Sequence, residues 1–119
     1  ILNLALNYGA KEEIIFAVKA IAAEVKKGEI ETHEITEATV SDHLYTKGMP
    51  EPDLLIRTSG EKRLSNFLLW QSAYTEFFFT DTLWPDFTRK EFEDILLNFK
   101  TRNRRFGKTT CSSSDGSPQ

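Results

Sequence analysis

The sequence is poor in the residues that most site chemistries need. Its single cysteine, Cys111, sits in a polar tail, which excludes an internal disulfide framework and a thiolate zinc site. His33 and His43 are the only histidines; they lack metal-ligand spacing and read as surface or capping residues. With no Cys–His or Ser–His pair suited to nucleophilic attack, no side-chain nucleophile is expected and no catalytic residue is assigned. No apolar run approaches the ~20 residues of a membrane span, and no signal-peptide pattern is present. A Walker lysine-serine pattern and a GxGxxG after a strand are both missing, which ranks a bare phosphate- or nucleotide-binding module low. The net charge of −3 argues against a broad nucleic-acid surface. What remains is one small domain of 119 residues, 39% hydrophobic and 28% charged.

The stretch 54–76, LLIRTSGEKRLSNFLLWQSAYTE, organises the chain. Leu54-Leu55-Ile56 follows the Pro50–Pro52 breaker and reads as a buried strand ending in the turn Thr58-Ser59-Gly60. Arg57 and Arg63 flank the turn and Ser65 follows. Guanidinium forks take phosphate oxygens two at a time, and Gly60 would let the backbone approach an anion. Such ligands sit at strand ends in α/β sheets, so a phosphate or diphosphate site is expected here. A short helix, about Asn66 to Tyr74 with Ser65 as its cap, would add the positive end of its dipole. Glu76 opens a further strand, Phe77-Phe78-Phe79. A carboxylate there is a natural magnesium ligand, because Mg2+ is usually held by one or two carboxylates with phosphate oxygens and water.

Around this stretch the chain reads simply. Ile1–Tyr8 alternates Leu2, Leu4 and Leu6 with Asn3, Ala5 and Asn7, as a strand does. Asn7 ends it, either as a turn cap, the favoured reading, or facing a cleft. Lys11–Lys27 has an amphipathic helical period with Ile14, Val18, Ile21 and Val25 on one face and Gly28 as its stop. Nothing catalytic is visible on it. Glu29–Glu34 reads as an acidic loop. A short helix from Thr36, its N-cap, to Tyr45 follows. Trp84-Pro85-Asp86-Phe87 is an apolar corner before a last helix. That helix opens on a capping box of Thr88 and Glu91, with Phe87 and Phe92 as a staple, and has Phe92, Ile95, Leu96 and Phe99 as its stripe. Residues 100–108 hold five cations and no acid, either a local anion site or a helix end favoured by its dipole. The segment 108–119 is a polar tail expected to be disordered.

RTSGExRLSNFLLWQ, then AYTEFFF and LWPDF, resembles the C-terminal signature of the cis-prenyltransferases, which include undecaprenyl and dehydrodolichyl diphosphate synthases. The match is nearly gap-free from Asp53 to Phe87, with weaker support from Leu2 to Gly107. The resemblance implies an α/β fold, the C-terminal part of a mostly parallel sheet flanked by helices, with residues 1–107 as the C-terminal half of a catalytic domain. The family's aspartate-glycine-asparagine motif and a further asparagine-bearing loop are not found here. Ala10 and Lys11 replace the family's usual second glycine and arginine, and Lys11 loses the bidentate fork.

The implied reaction condenses isopentenyl diphosphate with an allylic diphosphate, releases pyrophosphate and makes a cis double bond. Arg57, Arg63, Leu64 and Ser65 would bind the isopentenyl diphosphate. Glu76 would hold Mg2+, shared with the missing aspartate. Arg105 and Gly107, an arginine-x-glycine, would reach into a partner's site. Their presence beside RTSGExRLSN favours a homodimer over a heterodimer with an accessory subunit. The alternative reading is an inactive accessory subunit or truncated form acting through dimerisation. No nucleic-acid partner is implied. Location stays open between the cytoplasm and the endoplasmic reticulum surface.

Overall fold

The computed structural model describes residues 1–102. Residues 1–87 form one compact unit; the helix beyond Thr88 belongs to a second and is described by itself.

Helix α1 spans Ala10–Lys26, one residue ahead of the expected bounds at either end. Glu12 and Glu13 stand in its first turn and Lys26 in its last, each at the end its charge favours. Gly28, at φ +76°, takes the left-handed conformation that stops it. The buried face overlaps the expected one but is shifted round the helix: Ile21 is buried and Ile14 and Val25 are half-buried. Ala10, Glu13, Ala17 and Ile21 point inward, while Val18 is 54% exposed. Glu13 is drawn inward by the hydrogen bonds it accepts from Tyr8, Tyr45 and Gln71, which turns the face toward its side of the helix.

The acidic loop contains a 3-10 turn at Thr32–Glu34. Helix α2, Glu37–His43, is capped as expected: the Thr36 hydroxyl accepts from the Thr39 N–H. It packs on α1. His43 links the two, with Nε2 2.7 Å from Glu24 Oε1 and Nδ1 2.7 Å from the Thr39 carbonyl.

Strands β1, Leu54–Arg57, and β2, Glu76–Phe79, pair in parallel, Leu54 against Glu76 and Arg57 against Phe79. Aliphatic and aromatic side chains suit a pleated, partly covered surface, and every residue of both strands is half-buried. Thr75 and Glu76 tie the entry to β2 back to β1. The Thr75 hydroxyl donates to the Pro52 carbonyl at 2.7 Å and the Glu76 N–H to the Asp53 carbonyl at 3.1 Å. Trp84–Asp86 is a 3-10 turn, and the Trp84 and Phe87 rings stack at 6.0 Å.

Two expected elements are absent among the described residues. Ile1–Tyr8 forms no strand, and Leu2, Leu4 and Leu6 are 85%, 76% and 84% exposed. Alternation supplies one apolar edge of a strand, but the strand exists only when a neighbour hydrogen-bonds to it. No described strand pairs with this segment; the sheet consists of β1 and β2 alone among the described residues. The helix expected at 66–74 is instead a series of turns. Ser65, Asn66 and Leu68 have φ of 48°, 64° and 46°, outside right-handed helical space. The dipole that Ser65 was expected to cap is therefore missing.

In the second unit, α3 spans Arg89–Thr101 and the Thr88 hydroxyl accepts from the Glu91 N–H at 3.2 Å. Ile95 is buried, whereas Phe92 of the expected stripe is exposed.

Candidate functional site

The carboxyl end of β1 carries the cationic turn. Arg57 is the last residue of the strand, and its Nη1 donates to the Arg63 carbonyl at 2.8 Å. One guanidinium thus closes the loop that holds the other. The Arg63 side chain is exposed and pairs with the Glu61 carboxylate. The strand end that carries Arg57 and the backbone of Arg63, six residues on, are held together by this bond.

The turn itself is not a backbone anion cradle. The Ser59 N–H donates to the Thr82 carbonyl at 2.8 Å and the Gly60 N–H to the Thr80 carbonyl at 2.9 Å. Gly60 is needed for another reason. Its φ is +70°, and a Cβ there would lie 3.0 Å from Asp81 Oδ1. The glycine makes room for the segment that follows β2, so an anion here would be gripped by side chains rather than by these amides.

Leu64 and Ser65 continue the loop. The Leu64 carbonyl accepts from the Phe67 N–H at 3.2 Å, and Ser65 is exposed. Asn66, the next residue, caps α1. Its carbonyl accepts from the Ala10 N–H and its Oδ1 from the Lys11 N–H, both at 2.8 Å. Its Nδ2 donates to Glu12 Oε2 at 3.3 Å. Left-handed backbone costs ordinary residues roughly 1–2 kcal/mol each, so contacts of this kind have to hold the loop in place.

Glu76 lies elsewhere on the ladder. It opens β2 opposite Leu54, three residues before Arg57, or about 10 Å along the strand. By register the acid stands at the opposite end of the strand pair from Arg57. In a parallel pair the start of one strand faces the start of the other, and Arg57 closes β1. Among the described residues no group of three or more His, Cys, Asp or Glu could hold a metal. Arg105 and Gly107 lie outside the described residues, as do Arg104 and Lys108 of the basic cluster and the tail at 108–119.

A second polar cluster went unread in the sequence. Glu13, 1% exposed, accepts from the Tyr8 hydroxyl at 2.5 Å, the Tyr45 N–H at 2.8 Å and Gln71 Nε2 at 3.0 Å. Gln71 Nε2 also donates to Thr46 Oγ1 at 3.0 Å. Burial first, then the hydrogen bond to Glu13 and its charge, push the Tyr8 phenol well above its usual range. The cluster joins the turn before α1, the loop after α2 and the end of the arginine motif. An acid in line with Ala17 and Ile21, four and eight residues on, was the available signal.

Two parallel strands, helices and a cationic turn at the carboxyl end of β1 define an α/β segment, and the carboxyl ends of strands are where α/β sheets commonly meet their ligands. The chain belongs to the prenyltransferase family whose model is described as "Putative undecaprenyl diphosphate synthase", which matches residues 1–107. It is similar to the isoprenyl transferase of Lactobacillus johnsonii, 57% identical over 111 residues that cover 91% of this chain and 46% of that protein. It is 56% identical over 107 residues to the isoprenyl transferase of Geobacillus kaustophilus, covering 90% and 42%. Among solved structures, lavandulyl diphosphate synthase from Lavandula x intermedia, in complex with dimethylallyl diphosphate, matches with a TM-score of 0.84 and 48% identity. That match covers 88% of this chain and 45% of the other. The chain spans less than half the length of the curated relatives it matches.

Proposed function

We propose that the protein carrying this chain is a cis-prenyl chain elongating transferase. It condenses isopentenyl diphosphate with an allylic diphosphate to give a polyprenyl diphosphate of the dolichol or undecaprenol-precursor type. The observation that supports the reading is the bond from Arg57 to the Arg63 main-chain carbonyl, which ties the Arg63 loop to the strand end that Arg57 closes. Arg57, Arg63 and Ser65, with the Leu64 backbone, bind the isopentenyl diphosphate. The Glu61–Arg63 pair is exposed, and such pairs contribute only about 0–1 kcal/mol. A diphosphate can therefore displace Glu61 at small cost and take a bidentate grip. The hard step is departure of the allylic diphosphate, where negative charge grows on the leaving oxygens and fixed cations stabilise it. Holding the two substrates in reactive order supplies the rest.

Glu76 is the Mg2+ ligand this chain offers. A half-buried carboxylate at a strand start is the hard oxygen donor magnesium prefers, and one suffices where phosphate oxygens and water complete the shell. Its role rests on the family resemblance, not on closeness to the arginines. When bound, the ion neutralises developing charge on the diphosphate. By the family resemblance Arg105 and Gly107 complete a neighbouring subunit's site, and their sharing a chain with RTSGExRLSN favours a homodimer.

The test is incorporation of labelled isopentenyl diphosphate by the intact protein that contains this chain. Arg63→Ala is expected to lower kcat/KM at least about a hundredfold, the loss of a charge-assisted bidentate contact. Normal turnover by that variant refutes the reading.

A further inference from the structure

We propose that Asn66 is a positioning residue for the diphosphate-binding loop, clamping Arg63 and Ser65 in place by capping helix α1. The inference rests on the functional reading above. Three bonds carry it. The Asn66 carbonyl and Oδ1 accept from the Ala10 and Lys11 N–H groups, each at 2.8 Å, and Nδ2 reaches Glu12 Oε2 at 3.3 Å. These are two of the amides that a helix N-terminus leaves without partners. The cap comes from a segment more than fifty residues away in sequence, so the bonds are tertiary links rather than a local turn.

The position explains what the bonds are for. Ser65, Asn66 and Leu68 hold left-handed φ values, which a free loop abandons. Asn66 is the residue of the three best suited to that conformation, and it is the one bonded to the helix. Ser65 stands immediately before it and Arg63 three residues before, both exposed. Helix α1 is the rigid body, and Asn66 transfers that rigidity to the loop. Gly9 completes the seat. A Cβ at Gly9 would lie 2.0 Å from Glu12 Oε2 and 2.9 Å from Asn66 Nδ2. Gly9 has extended backbone at φ −143°, so its lack of a side chain serves the Asn66–Glu12 contact and not its own conformation.

The experiment compares Asn66→Gly, Gly9→Ala and Arg63→Ala in the intact protein, measuring kcat, both substrate KM values and thermal melting. Asn66→Gly keeps the left-handed backbone accessible and removes only the carboxamide. It is expected to raise the KM for isopentenyl diphosphate about tenfold, the order of losing one helix cap, with the allylic KM and kcat within about twofold. Gly9→Ala, which crowds the carboxamide from the opposite side, is expected to raise the same KM about threefold or more. If Asn66→Gly fails to fold, Gly9→Ala decides. Unchanged KM for isopentenyl diphosphate overturns the proposal. So does a parallel rise of both KM values with falling melting temperature, which marks a purely structural residue. Arg63→Ala separates the two levels. If it turns over normally, the site itself is misread; if it is crippled while Asn66→Gly and Gly9→Ala behave as wild type, only the role of Asn66 falls.

Discussion

Replacing Glu13 by alanine tests the polar cluster beneath the motif. The carboxylate is 1% exposed and accepts three hydrogen bonds, from Tyr8, Tyr45 and Gln71. Gln71 keeps a second acceptor in Thr46, so its loss is small. The Tyr45 N–H and the Tyr8 hydroxyl lose the acceptor they have here. A buried polar group left without a partner costs about 1–3 kcal/mol, more when the lost partner is ionised. Both bonds are only part-buried and Tyr45 is 56% exposed, so water recovers some of the loss and the sum is roughly 2–3 kcal/mol, still a large share of the roughly 5–15 kcal/mol typical of a domain. Urea denaturation at neutral pH reads it as a lower midpoint at an unchanged slope. Tyr8→Phe removes one donor together with its need, so it is expected to cost only about 1 kcal/mol. In the Glu13→Ala background the same change is expected to cost almost nothing, because the two groups act on one another. A Glu13→Ala loss below 1 kcal/mol, or full additivity with Tyr8→Phe, refutes this account of the cluster.

Three further outcomes are expected. His43 has an acceptor at each ring nitrogen, and only the doubly protonated ring donates to both. The hydrogen bond to Glu24, then that to the Thr39 carbonyl, raise its pKa above the ordinary 6.5, against the opposing effects of burial and Lys47. A folded pKa above the unfolded one gives a contribution present in full below about pH 6.5 and lost as pH rises through the folded value. The stability difference between wild type and His43→Gln should therefore shrink from pH 5.5 to pH 9, and a difference that stays constant removes the argument. Gly60→Ala should destabilise by about 1–2 kcal/mol, from its φ of +70° and the Asp81 carboxylate facing it, and a neutral result in urea would show that the turn relaxes. Removing divalent cations with a chelator should abolish prenyl transfer by the intact protein and Mg2+ should restore it; turnover that continues in chelator rules out the role given to Glu76.

Much of the local structure could be read directly from residues. The Thr36 and Thr88 caps and the Gly28 stop rest on backbone chemistry within a few positions, and they stand where expected. Strands β1 and β2 follow from apolar runs between breakers, and their parallel pairing agrees with the family-derived fold. The turn after β1 was legible because Thr58-Ser59-Gly60 follows an apolar run and Gly60 supplies the positive φ the turn needs. Asn66 and Glu13 were not. Each makes its decisive bonds to residues tens of positions away, and no local window contains both partners.

The amino-acid order by itself set the helix periods, the turns and the family, since these depend on neighbours along the chain or on a long motif. The tertiary structure alone decided which face of α1 is buried and that 66–74 winds through left-handed turns instead of a helix. It also left Ile1–Tyr8 without a ladder and put Glu76 at the far end of the strands from Arg57. A face, a ladder and a register are relations between segments, fixed by packing and hydrogen bonding at a distance, and composition along one segment carries no record of its partner.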